Sequence, residues 1–174
     1  MYYLFLGLIF LCLLPLKAVY GLEVGTTPPT ITLEGDLGSR VDGKPWSSDE
    51  LKGRIVSLFY IDPDEKSLNE PLEAAYKKEE FPFDKHKSFA IINMDATWMP
   101  NGLIASKLKQ KQEEFPQTTY VKDLKKSLVS KWGLKDDSIN VVVFNKEGKI
   151  LFFKKGPTTP EEISLLMKTI RAEL

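Results

Sequence analysis

The chain has 174 residues, 43% of them hydrophobic, with 24 basic and 24 acidic side chains, so its formal charge is zero. Balanced charge gives no chain-wide attraction to nucleic acid or anionic lipid. A single cysteine excludes an internal disulfide framework, and one cysteine with one histidine cannot furnish a His/Cys zinc site.

Residues 2–16 (YYLFLGLIFLCLLPL) form an apolar run. It is shorter than the roughly 20 residues of a transmembrane helix. It fits the apolar core of a secretory signal, with Val19 and Gly21 at the small-residue positions before a cut after Gly21. No Lys or Arg precedes the run, so an uncleaved N-terminal anchor is the alternative. Cys12 follows Leu11 rather than the small residue that a lipid-attachment site needs. Removing residues 1–21 takes away Cys12 and, among charged residues, Lys17 alone. The remaining chain, 22–174, has no cysteine and the size of one domain. These features predict a periplasmic protein with no membrane contact after the signal is cut.

The predicted elements then follow. Leu22–Pro29 is irregular, because Pro28 and Pro29 block a helix. Thr30–Leu33 alternates as a short strand, and Gly35, Gly38 and Gly43 mark turns. Ser47–Leu51 reads as one Ser-capped helical turn ended by Gly53. Arg54–Ile61 is apolar on both faces, the pattern of a central strand covered on both sides. A helix over about 70–80, capped by Ser67 or Asn69, places Leu72, Ala75 and Tyr76 on one face. Ser88–Met94 is a second buried strand. Pro100 and Asn101 open a helix to Glu114 with Leu103, Ile104 and Leu108 in a stripe, and Phe115-Pro116 ends it. Thr118–Val121 is a strand, and Asp123 caps a helix to Lys131 with Leu124, Leu128 and Val129 inward. Ile139–Phe144 and Lys149–Phe153 are strands of a hairpin turning at Asn145–Gly148. Thr158 or Thr159, Pro160, Glu161 and Glu162 start a last helix that carries Ile163, Leu166, Met167 and Ile170 on one face. The result is a single α/β domain, a mixed sheet with helices on both faces.

Three stretches carry a resemblance. Leu51-Lys52-Gly53-Arg54-Ile55-Val56-Ser57-Leu58-Phe59 resembles the entry to the first core strand of thioredoxin-like proteins. Phe115-Pro116, with Val121-Lys122-Asp123 and Leu128–Leu134 after it, resembles their next strand and helix. Phe144–Ile150 resembles their hairpin turn. Together they resemble the thioredoxin fold, in its peroxiredoxin and thiol-reductase branch. More narrowly, Ile92–Asn101 with Trp132-Gly133-Leu134 resembles the YtfJ-like family of secreted bacterial proteins. That resemblance implies a periplasmic location and a thioredoxin-like fold, and no activity.

Redox-active members of this fold place Cys-x-x-Cys after the first core strand, where a helix N-terminus stabilises the thiolate. Here Asp64 and Ser67 stand near those positions, and neither performs thiol–disulfide exchange. The fold's usual proline before the hairpin strand is also missing, because that stretch reads Ser138-Ile139-Asn140. The expectation is a protein that is neither a disulfide oxidoreductase nor a peroxiredoxin.

Asp62, Asp64 and Glu65 follow one strand end, and Asp95, Trp98 and Asn101 follow another. Ligands of open α/β sheets bind beyond such ends, so the two loops should be neighbours. The carboxylates either cap the next helix or hold a hard cation, and Lys66 and the helix dipole favour capping. Trp98 either contacts a partner or packs over the sheet edge while Asp95 and Asn101 cap the next helix. His86, in Asp84-Lys85-His86-Lys87, reads as a solvated surface residue. The lysines of 107–111 and 122–131 read as solvated helix faces. No phosphate loop, HExxH, GxSxG or EF-hand pattern occurs, so no cofactor and no metal are expected. The leading expectation is a redox-inactive module that binds a protein or small ligand at an edge of Asp62, Asp64, Glu65, Ser67, Asp95, Trp98 and Asn101. An enzyme using the carboxylates Asp62, Asp64, Glu65 and Asp95, with or without a metal, is the alternative. A transcriptional regulator is the least supported reading. The sequence names neither the ligand nor the oligomeric state.

Overall fold

The structure is a computed structural model that describes residues 21–174. The apolar run read as a signal, with Cys12, lies outside the described residues. Eight strands and four α-helices follow in the order β1 (Thr32–Leu33), β2 (Gly38–Arg40), β3 (Trp46–Ser47), β4 (Ile55–Ile61), α1 (Glu70–Glu79), β5 (His86–Asn93), α2 (Asn101–Glu114), β6 (Thr118–Asp123), α3 (Ser127–Trp132), β7 (Ile139–Phe144), β8 (Ile150–Lys155) and α4 (Pro160–Glu173). Six strands form one mixed sheet in the order β2-β6-β5-β4-β7-β8. β4, β5 and β6 run parallel, and β2, β7 and β8 pair antiparallel to their neighbours. β1 and β3 make a small separate pair.

The two-faced apolar pattern of β4 becomes two cores. Val56, Leu58 and Tyr60 enter one with Trp46, Phe89, Trp132 and Phe144. Ile55, Phe59 and Ile61 lie on the opposite face, where α1 and α4 bring Leu72, Leu166, Met167 and Ile170. Alternate residues of a strand point to opposite faces, so one continuous apolar run serves both layers. Ile104 and Leu108 of α2 build a third cluster with Ile92 and Met94.

Several expectations need correction. β2 forms where only turns are predicted. It fits because Gly38 has no side chain: a Cβ there would lie 2.0 Å from the Lys122 carbonyl oxygen, at φ +146. Ser67 does not stand at the start of α1: a 3₁₀ segment, Pro63–Asn69, leads into that helix, and Asp62 caps the segment, with Pro63 at its first position. Asp123 ends β6 rather than starting a helix. Lys126, left-handed at φ 50, turns the chain, and α3 starts at Ser127. Asp123 still serves that helix: its carboxylate accepts from Ser127 N at 2.9 Å and Leu128 N at 3.0 Å. At α4 the expected start is sharpened to a capping box between Thr159 and Glu162.

Candidate functional site

The loops after β4 and β5 do meet. Asp62 leaves the sheet with its N–H donating to the Ser138 carbonyl at 3.1 Å. Its carboxylate accepts the Asp64 N–H at 2.8 Å. Asp64 extends to the other loop, where the Thr97 hydroxyl donates to its Oδ1 at 2.9 Å, and Thr97 Oγ1 accepts the Met99 N–H at 3.2 Å. The Thr97–Asp64 bond thus pins the loop that presents Trp98. Trp98 itself is 88% exposed, so it does not pack over the sheet edge. Asp95 and Asn101 do not cap α2 either: Pro100 stands at the cap position with no side-chain bond. Glu65 is half-buried in the 3₁₀ segment, and Ser67, Asp95 and Asn101 are exposed.

A third loop, 133–138, completes the edge. Asn140 in β7 holds its base, with Oδ1 accepting Lys135 N and Nδ2 donating to Lys135 O, each at 2.8 Å. Farther along, Asp136 accepts from Asn93 Nδ2 at 2.8 Å and from Lys126 Nζ at 2.7 Å. Asp137 adopts a left-handed φ of 46 before Ser138. Asp136, Asp137, Asn93 and Lys126 are therefore part of the edge, and sequence reasoning missed them. The available signal was position: Ser138–Asn140 is the fold's third edge segment, so the residues before it face the same end.

The edge is acidic. Asp62, only 2% exposed, has its carboxyl held above the usual range by burial, against the Asp64 N–H, with Asp64, Asp137 and Glu65 adding repulsion. Asp136 goes the other way. Burial works against its charge, but the bonds from Lys126, Asp137 N–H and Asn93 outweigh it, and its value is lowered. Lys126 is raised through its bond to Asp136. Beneath the edge the Tyr60 hydroxyl donates to Asp123 at 3.2 Å, and burial followed by the Asp123 charge pushes the phenol far up. Asp62 is spent on capping, as the dipole argument favours. Among the described residues no group of three or more His, Cys, Asp or Glu is placed to hold a metal ion. What the arrangement offers is an acidic edge beside one exposed indole.

The reading of His86 as a solvated side chain is overturned. It is 7% exposed, and its Nε2 lies 2.9 Å from Ser57 Oγ, which accepts from the Tyr76 hydroxyl at 2.7 Å. Lys85 and Lys87 mislead, because alternation turns His86 to the opposite face from its two charged neighbours. Burial lowers its pKa to about 4. The Ser57 partner does not make a nucleophile, since Ser57 is wholly buried within the sheet.

A mixed sheet with this strand order, helices on both faces and an edge of strand-end loops defines a thioredoxin-fold protein. The sequence matches, over residues 30–173, the family described as "Bacterial protein of unknown function (YtfJ_HI0045)", and the chain belongs to that family. The Escherichia coli K12 protein named "Uncharacterized protein YtfJ" is 29% identical over 168 residues, spanning 91% of each chain. Among solved structures, a thiol-disulfide isomerase from Corynebacterium glutamicum superposes with a TM-score of 0.58 at 17% identity, covering 83% of this chain and 97% of that one. A peroxiredoxin-like protein from Aquifex aeolicus gives 0.59 at 14% identity, covering 86% and 88%. Likeness at such identity shows the fold, and the fold is the expected one.

Proposed function

We propose that this protein is a redox-inactive binding module of the bacterial periplasm, which receives a protein partner on the edge of the three loops. The supporting observation is Trp98: an indole 88% exposed, on a loop fixed by the Thr97–Asp64 bond. A large exposed aromatic held in place supplies contact area at low entropic cost, the usual character of a binding hot spot. Asp64 is tied to its loop, and Asp95 and Asn101 flank it in the chain as exposed polar groups. Thiol exchange has no place in this reading, since the one cysteine, Cys12, lies in the segment read as a removed signal. The periplasmic assignment rests on that segment.

The test is photo-crosslinking in the living cell from a residue placed at Asn101, beside the indole. The expected result is a discrete protein adduct in the periplasmic fraction, lost on Trp98→Ala and kept on Phe83→Ala at the other end of the sheet. An adduct indifferent to Trp98→Ala, or no adduct at all, refutes the reading. The carboxylate-enzyme alternative gains no geometric support, because Asp62 faces inward and serves as a cap.

A further inference from the structure

The second concave region lies at the opposite end of the same strands. Glu80, Phe81, Phe83, His86, Ser88 and Gln117 line a half-open cavity of about 320 Å³. It sits by the start of β5, where His86 pairs with Ile55, so about 20 Å of strand separate it from the Trp98 edge. The volume is at the lower end of those that hold small ligands.

Its floor is chemically defined. The Tyr76 hydroxyl donates to Ser57 Oγ at 2.7 Å, and the same oxygen lies 2.9 Å from His86 Nε2, where the tautomer of the ring sets which of the two donates. A neutral imidazole that accepts at Nε2 carries its proton on Nδ1. Nδ1 has no hydrogen-bond partner among the described residues, and it is not among the buried polar atoms left unpartnered, so it is reached from the cavity side. Two rings form the walls. Phe81 packs 4.9 Å from the imidazole, and Phe83 is 62% exposed, held by its carbonyl, which accepts from Arg54 at 3.1 Å. Glu80, at a left-handed φ of 45, is the one charged residue of the lining. An anion would meet the Glu80 carboxylate. Ser88 and Gln117 offer neutral polar groups.

We propose that this cavity is a binding site for a planar aromatic molecule of one or two rings, without negative charge, that carries a carbonyl or hydroxyl oxygen. The oxygen accepts from His86 Nδ1–H, and the ring lies against Phe81 and Phe83. The site is independent of the Trp98 edge.

His86 is the only histidine, so ¹⁵N-histidine labelling reports two nitrogens alone. The probes are benzamide and benzoate, which share a ring and differ in charge. The expected free-protein spectrum shows the proton on Nδ1 and an unprotonated Nε2. Benzamide should shift Nδ1 saturably at millimolar concentration, while benzoate binds about tenfold more weakly or worse, as a desolvated like charge beside Glu80 requires. Phe83→Ala, a change at an exposed side chain, should weaken benzamide about tenfold through lost apolar contact while the tautomer stays the same. A proton found on Nε2, a Nδ1 signal unmoved by benzamide, equal binding of the two probes, or an affinity untouched by Phe83→Ala overturns the proposal.

Discussion

His86 makes a quantitative prediction about stability and pH. Its folded-state pKa is about 4, lowered by burial from 6.5. The neutral ring is the form the fold accepts. Above pH 6.5 the group is neutral folded and unfolded, and its contribution is fully present. As pH falls below 6.5 the unfolded chain takes up a proton that the folded chain refuses, and stability drops until pH passes the folded value. Linkage puts the loss at about 2 kcal/mol by pH 5 and about 3 kcal/mol by pH 4. Protonation also makes both ring nitrogens donors, so Ser57 Oγ must accept from Nε2–H as well as from the Tyr76 hydroxyl. His86→Gln keeps a polar group near Nε2 and cannot titrate. Urea unfolding, followed through the buried Trp46 and Trp132, should be compared between wild type and variant from about pH 7.5 to about pH 5. The variant will be less stable at the upper end, from lost packing. The gap should then close by about 2 kcal/mol toward the lower end, as only the wild type loses the His86 contribution. Parallel stability curves would refute the argument.

Three further outcomes follow from the packing. Gly38→Ala puts a Cβ 2.0 Å from a backbone carbonyl at a φ that side chains avoid, and should cost at least about 2 kcal/mol in denaturant unfolding. Asp123→Ala leaves Ser127 N–H, Leu128 N–H and the Tyr60 hydroxyl without their acceptor, and should lower stability by about 3 kcal/mol or more, with Tyr60→Phe partly offsetting the loss in a double-mutant cycle. Asp62→Asn keeps an acceptor for the Asp64 N–H and removes a charge that burial disfavours; its melting temperature near neutral pH should equal or exceed that of wild type, and a clear fall would contradict the raised carboxyl pKa.

The strands β4, β5 and β7 and the helix α4 were legible because burial on both faces, or a capped amphipathic stripe, writes itself into composition. β2 was not, because its three residues owe their strand to pairing with β6, and a glycine chosen for close approach reads as a turn. His86 was misread for a related reason. Its neighbours Lys85 and Lys87 are charged, and only the pairing with Ile55 decides which way the ring turns. At the candidate edge, Asp62, Asp64 and Trp98 were found from the rule that ligands lie past strand ends, and the meeting of their loops is real. The fate of Trp98 was open between packing and display, since an indole after a strand suits both. Asp136 and Asn93 were invisible, because their partnership joins residues 43 apart in the chain.

The Thr97–Asp64 bond has a kinetic consequence. A recognition loop that orders only on contact gives up part of its interaction energy to ordering, and its complexes form through a slow rearrangement. A loop already tied to its neighbour, presenting a side chain with two rotatable bonds, spends little on either. A partner docking on Trp98, as proposed, would meet a loop with this tie already made, so changes at this edge would be felt more in its residence time than in its rate of arrival.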